Sequence, residues 1–256
     1  MAKINYAQEF NRSIKDPENF WMEQATHINW FQKPQRALTR DENGFYHWFK
    51  GGKLNTSYLA LDAHIENGRG NDIALIYDSP VTQTIEKFTY SELRERVSRL
   101  AGGMKRLGVE KGDTVIIYMP MIPQAVVSML ACARLGAVHS VVFGGFAPHE
   151  LAIRIDDAKP KLIITATSGI EVDRIIPYKP MVDEAIKMAT HLPENVIVYN
   201  RRLGAARPDG ENDIDYATLM KIADPVRCIE VDATDPLYIL YTSGTTGTPK
   251  GIVRDI

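Results

Sequence analysis

The chain has 256 residues, of which 45% are hydrophobic and 24% charged, and a formal net charge of -2. That length allows one large or two modest domains with real cores, and the composition is that of a globular protein rather than a fibrous or disordered one. The near-neutral charge argues against a surface built to grip nucleic acid, which shows as a basic excess, and no stretch approaches the apolar length that spans a bilayer.

Residues 1–60 are rich in aromatic side chains. Asp16-Pro17-Glu18 reads as a helix start: a capping carboxylate, a proline where the helix needs no N–H, and an acid in the first turn. Trp21, Ala25 and Ile28 then recur at helical spacing, with Phe20, Trp30 and Phe31 adding bulk, which predicts a strap lying on a larger body. From residue 73 strands and helices alternate. Residues 73–77 read as a strand. Thr89 and Glu92 make a capping box, opening a helix with Leu93, Val97, Leu100, Met104 and Leu107 on one face and Gly108 at its end. Residues 114–119 are a β-branched strand, and Pro120 and Pro123 lead into a helix that runs to about Leu135. The pattern continues with strands at 138–143, 161–166 and 196–199, and helices at 148–158, 181–190 and 216–223. It closes with a buried strand at 237–241. Such spacing predicts an α/β fold with right-handed crossovers and a mostly parallel sheet covered on both faces. Residues 201–213, with Gly204, Pro208 and Gly210, form a polar surface loop.

Cys132 and Cys228 lack metal-ligand spacing, and Cys132 sits in an apolar run where a buried, reduced thiol is expected. Without a disulfide framework, and with no apolar or Arg/Ser-rich leader in Met1-Ala2-Lys3-Ile4-Asn5-Tyr6, the expected compartment is the cytoplasm. The six histidines form no Ser-His-Asp, His-x-Glu or metal pairing, so no metal site is expected. The pair Asp156-Asp157, late in a helix, reads as a solvated face.

The informative segment is Tyr241-Thr242-Ser243-Gly244-Thr245-Thr246-Gly247-Thr248-Pro249-Lys250-Gly251. Its glycines let the backbone approach a ligand, its hydroxyls are donors for anionic oxygens, and Lys250 adds a fixed positive charge. A turn aiming several amides inward is an anion-binding nest. Pro249 stands where a Walker loop places its second glycine, and Gly251-Ile252-Val253-Arg254 reads as a returning strand rather than a helix. A plain polar hairpin is the competing reading. The full spacing, entered and left by strands, favours a phosphate cradle of Thr242, Ser243, Gly244, Thr245, Thr246, Gly247 and Lys250, with Lys250 as the candidate catalytic residue.

This segment resembles the signature of the adenylate-forming superfamily: acyl-CoA synthetases, peptide-synthetase adenylation domains and luciferases. Phe20-Trp21 through Trp30-Phe31, Phe45-Tyr46-His47-Trp48-Phe49-Lys50-Gly51-Gly52-Lys53-Leu54-Asn55 and Leu61-Asp62-Ala63-His64 are similar to the N-terminal extension of acetyl- and propionyl-CoA synthetases. Ile76-Tyr77-Asp78-Ser79-Pro80-Val81-Thr82 and Ile116-Ile117-Tyr118-Met119-Pro120-Met121-Ile122-Pro123 look closer to the propionyl-CoA synthetase branch. The resemblance implies an aromatic-rich extension over residues 1–68. Residues 69–256 would then be the first part of the large N-terminal AMP-binding domain, ending just after the phosphate loop. It further implies ATP, Mg²⁺ and CoA as cofactors or co-substrates and a small carboxylic acid as partner, with no nucleic acid or membrane.

In such enzymes Phe143-Gly144-Gly145-Phe146 borders the CoA nucleotide, with Phe143 against adenine and the glycines allowing close approach; a plain strand-end turn is the other account. Arg174 matches an arginine that meets CoA phosphate, where a forked guanidinium suits the anion. A second arginine common nearby is Glu171 here. The implied activity is a two-step ligation through acyl-AMP, which this chain alone is expected not to complete. Acetate rather than propionate activation, another adenylating ligase, and a non-catalytic nucleotide- or CoA-binding module remain open at this stage.

Overall fold

The computed structural model describes residues 5–242 and 249–256. Helix α1 (Tyr6–Lys15) starts where the Asn5 side chain accepts from the amides of Ala7 and Gln8, and none of its residues is buried. Helix α2 (Pro17–Ala25) starts as expected, with Pro17 in its first turn and the Asp16 carboxylate accepting from the Asn19 amide at 3.4 Å. The helix ends before Ile28, so that residue does not extend the apolar face. Strands β1 (Leu38–Arg40) and β2 (Tyr46–Trp48) form a small antiparallel ladder, and β3 (Lys53–Leu54) follows. The aromatic rings of this segment pack largely on one another: Trp21 on Trp48 at 5.6 Å, Trp30 on Phe49 at 5.6 Å, Phe31 on Tyr58 at 4.9 Å. A π-helical turn, Tyr58–Asp62, comes next, followed by Ile65–Arg69, where the helix is broken at Asn67 and Gly68.

The strap is tied to the body by polar groups. Fully buried Asn55 donates through Nδ2 to the carbonyls of Ala133 at 2.8 Å and Ile229 at 2.9 Å. Arg134, itself nearly buried, makes a two-pronged ion pair with Asp62 at 2.8 and 3.0 Å. Such a forked pair fixes geometry as well as charge.

Strands β4 (Ile73–Ser79) and β5 (Thr84–Thr89) pair antiparallel in a two-stranded sheet of their own. The expectation that residues 73–77 open the parallel series is therefore corrected. The turn after Ser79, with Gln83 at positive φ, sends the chain straight back instead of into a crossover helix. Helix α3 (Tyr90–Arg106) begins with the full Thr89/Glu92 capping box and ends before Gly108, whose φ is +84°. Then come β6 (Thr114–Tyr118), α4 (Pro123–Leu135), β7 (Val138–Val141), α5 (Pro148–Ala158) and β8 (Leu162–Ala166). A short antiparallel pair, β9 (Gly169–Glu171) and β10 (Arg174–Ile176), precedes α6 (Tyr178–Met188). The chain continues with β11 (Asn195–Tyr199), β12 (Asp213–Asp215), α7 (Tyr216–Ile222), β13 (Val231–Asp232), β14 (Pro236–Thr242) and β15 (Lys250–Asp255).

Among the described residues the main sheet has seven strands, ordered β12-β11-β8-β6-β7-β14-β15. Every neighbouring pair is parallel except β14 and β15. The α/β class and mainly parallel sheet are as the strand–helix spacing predicts. Because strand side chains alternate between faces, Val115, Ile117, Leu162, Ile164 and Ile197 pack with α3, α4 and α7. Their neighbours Ile116, Tyr118, Ile163, Val196 and Val198 pack with α5 and α6 on the other face. Strand β14 departs from the expected buried strand: none of its residues is buried, and Leu240 is 51% exposed. Its outer neighbour β15 is exposed at every residue.

Candidate functional site

The chain runs from β6 to β7 on one side, then returns past β6 to β8, β11 and β12 on the other. In open α/β sheets the crevice beyond the strand carboxyl ends, where the order reverses, is the place a ligand enters. A cavity of about 620 Å³ lies there, within the size range of small-molecule sites. Its wall comes from the turn after β6 (Met119 to Ile122), the turn after β7 (Val141 to Gly145), Glu171 of β9, Tyr178 of α6, Arg201 after β11, Leu240 of β14, and Tyr77 and Thr82 from the β4–β5 hairpin. A second crevice beside Phe88, Arg96 and Tyr216 measures about 20 Å³, too small for a ligand.

The turn after β7 holds three of the residues proposed for CoA. The Tyr118 hydroxyl, at the end of β6, reaches the carbonyls of Phe146 at 2.8 Å and Gly144 at 3.2 Å, fixing the turn. A Cβ at Gly144 would lie 2.0 Å from the Tyr178 hydroxyl oxygen, so glycine is required here by the close approach of Tyr178 itself. Phe143 is 71% exposed and meets Phe146 edge-on at 5.7 Å, leaving a ring face open to the cavity. Phe143, Gly144 and Gly145 all line the cavity.

Arg174 does not. It is opposite Glu171 in the antiparallel β9–β10 register, and its Nη2 lies 2.8 Å from the Glu171 carboxylate. Glu171 is on the cavity wall, and the guanidinium that joins it there is Arg201. The Arg201 amide donates to Thr167 Oγ1 at 3.1 Å and its Nη1 to the Ser168 carbonyl at 3.3 Å, anchoring it to the end of β8. Sequence reading passed over Arg201 because it heads a polar loop. The signal was its position directly after a parallel strand. Tyr178, 8% exposed, also lines the cavity. Burial raises its phenol pKa, the Arg201 charge opposes the rise, and Glu171 adds to it.

Of the phosphate segment, Thr242 and Lys250 are described; Ser243, Gly244, Thr245, Thr246 and Gly247 lie outside the described residues. Thr242 ends β14 and Lys250 begins β15, and the two face each other as the last pair of the ladder, both exposed. Just inside, the Tyr241 hydroxyl donates to Asp157 Oδ2 at 2.6 Å, and the Arg154 guanidinium lies 5.4 Å from the Tyr241 ring. Burial and the Asp157 bond raise the Tyr241 pKa. A Cβ at Gly251 would sit 3.2 Å from the Tyr241 ring and 3.3 Å from Asp157, so glycine leaves room for this contact.

The Asp156-Asp157 pair is therefore more than a solvated face. Asp157 holds β14, and Asp156 accepts from the amides of Thr190 at 2.7 Å and His191 at 2.8 Å, an arrangement that lowers its pKa. Cys132 is fully buried and Cys228 half-buried, with burial pushing the Cys228 thiol up to about 12, so neither is a nucleophile. Among the described residues no group of three or more His, Cys, Asp or Glu is placed to hold a metal ion.

The family described as AMP-binding enzyme matches residues 62–255, and the one described as acetyl-coenzyme A synthetase N-terminus matches residues 6–60. The chain is 50% identical over 250 residues to the human protein named acyl-CoA synthetase short-chain family member 3, mitochondrial, covering 97% of this chain and 36% of that protein. It is 42% identical over 255 residues to the Escherichia coli propionate--CoA ligase, covering 99% of this chain and 40% of the ligase. Among solved structures, the acetoacetyl-CoA synthetase from Streptomyces lividans superposes with a TM-score of 0.87 at 29% identity, over 100% of this chain and 39% of that one. The chain thus spans 36% and 40% of the length of these two curated relatives.

Proposed function

Because this chain belongs to the AMP-binding enzyme family, we propose that the complete protein is an AMP-forming short-chain acyl-CoA synthetase acting on propionate. A carboxylate oxygen attacks the α-phosphorus of ATP, forming acyl-AMP as pyrophosphate leaves. The CoA thiolate then attacks the acyl carbon, forming the thioester and releasing AMP. The protein's part in the first step is to position the reactants and offset phosphate charge.

The observation that carries the reading is the base of the β14–β15 hairpin. The ladder closes on the Thr242–Lys250 pair, at the same end of the sheet as the Phe143 turn, since β7 and β14 run parallel. In this reading Lys250, with the hydroxyls and glycines of residues 242–247, receives the β- and γ-phosphates. Phe143, Gly144 and Gly145 border CoA. Arg174 takes an outer place, its charge shared with Glu171. For the Mg²⁺ that accompanies ATP, the described residues supply no cluster of three or more His, Cys, Asp or Glu. The two cysteines are free, which supports a reducing, cytoplasmic setting.

The test is ATP–pyrophosphate exchange in the complete protein. Lys250→Ala should lower exchange by about 10²–10³-fold, the scale of losing one preorganised charge-stabilising group, and should weaken carboxylate binding far less. Exchange unchanged by the substitution refutes the role. Hydroxamate formation with propionate, acetate and benzoate settles the acid: propionate should give the highest kcat/KM, and a benzoate preference would point to an aryl-acid ligase.

A further inference from the structure

Arg201 is the one cationic side chain on the cavity wall among the described residues, and Glu171 the one anionic side chain. Their situations differ. Glu171 is neutralised from outside the cavity by Arg174 at 2.8 Å. Arg201 has no carboxylate within ion-pair distance among the described residues; its guanidinium makes one long bond, to the Ser168 carbonyl at 3.3 Å. Beside it stands the Tyr178 hydroxyl, on a side chain more than nine-tenths buried, with no hydrogen-bond partner among the described residues. That hydroxyl oxygen is not sealed in the core but open to the cavity, so a ligand entering there can reach it.

Both groups are held in place before any ligand arrives. Thr167, itself fully buried, accepts the Arg201 amide at 3.1 Å. The Tyr178 ring packs against Tyr118 at 5.1 Å, and Gly144 closes one side of its hydroxyl, which leaves the cavity as the open direction. A guanidinium offers two parallel donors and a phenol a third, a set matched to a phosphate and poorly matched to a neutral group. We propose that Arg201 and the Tyr178 hydroxyl form the anion end of this cavity and bind a phosphate of CoA, while Phe143 receives its adenine. Arg174 is then a positioning residue: by pairing with Glu171 it removes the negative charge that would otherwise repel the phosphate. The identity of the ligand rests on the synthetase reading; the anion subsite rests on the wall residues themselves.

The experiment is calorimetric titration of the complete protein, as wild type, Arg201→Ala and Tyr178→Phe, with CoA, dephospho-CoA and ATP separately. Arg201→Ala should weaken CoA binding about ten- to hundredfold, the worth of a charge-assisted hydrogen bond, and Tyr178→Phe about threefold to tenfold. If the 3′-phosphate is the one bound, the Arg201→Ala penalty vanishes with dephospho-CoA; if a bridging phosphate is bound, the penalty persists, and either result upholds the subsite. CoA affinity within twofold of wild type in both variants overturns it. So does a wild type that binds no CoA, or an equal loss for ATP, which would assign the phosphate to ATP. Pyrophosphate exchange by the wild type is measured alongside. Its absence with every short acid would sink the synthetase reading, while the titrations, which need no turnover, still decide the subsite.

Discussion

Strands β8 and β14 belong to one sheet and live in opposite surroundings. Leu162 to Ala166 of β8 are all buried, flanked by β6 and β11 and covered by helices on both faces. No residue of β14 is buried, and its outer partner β15 is exposed along its whole length. The first region is stabilised by removal of apolar surface from water, the second by its ladder and a few polar contacts such as Tyr241 to Asp157. Packing is thus uneven along the sheet of this chain. The strands that cannot be altered cheaply lie on one side, and the strand that carries the Thr/Gly segment lies on the other.

The largest effect should come from the buried side, at its most enclosed ion pair. Lys179 is 2% exposed and bonds Asp213 at 2.8 Å, with Asp183 as a second, more exposed partner. Burial works against this ammonium, and the two carboxylates outweigh it, so its pKa is raised. Asp213→Ala leaves the buried charge short of its inner partner and should cost about 3–5 kcal/mol, read from the urea midpoint. Asp213→Ala combined with Lys179→Met should recover part of the loss. Destabilisation below about 1 kcal/mol would place this pair among surface ion pairs and erase the contrast between the two regions.

His139 of β7 lies at the boundary, paired with Val115 on one side and Tyr238 on the other. Its Nδ1 has no partner among the described residues, and burial pushes its pKa down to about 4. The folded pKa lies below the unfolded one, so the unfolded chain takes the proton first. The contribution of neutral His139 is complete above about pH 6.5 and declines as pH falls towards 4, the loss amounting to about 3 kcal/mol at the low end. Urea midpoints measured from pH 7 to 4 for wild type and His139→Gln should converge as pH falls. Parallel curves would show that the boundary admits a charged imidazole.

Much of the parallel region is legible in the chain because its signals are local. The Thr89/Glu92 box and the prolines at 123 and 148 mark helix starts to the residue. What is not legible depends on distant partners. Residues 73–77 and 162–166 are both largely apolar runs, yet the first pairs with β5 in a separate hairpin because its neighbour in sequence is another strand. Helix α6 starts at Tyr178 rather than 181, since Pro180 fits a first turn that has no need of its amide. At the site, Phe143 and the glycines after it announce a strand-end turn. Arg201 is brought beside them only by the strand order, and Glu171 captures Arg174 only through the β9–β10 register.

The smallest expected effect tests the exposed side directly. Tyr241→Phe removes the 2.6 Å bond to Asp157 and keeps the ring under Arg154. Asp157 is exposed and finds water as a replacement, so the loss should be about 0.5–1 kcal/mol, the net worth of one hydrogen bond. Because β14 and β15 have little packing beyond their own ladder, that loss should appear as local opening rather than global unfolding. Amide exchange at Leu240 and Ile252, which face each other in the ladder, should quicken about twofold to fivefold, while Ile163 and Ile164 of β8 keep wild-type protection. Equal quickening in both strands would mean that the sheet opens as one unit, and the division between a packed half and an exposed half would not hold.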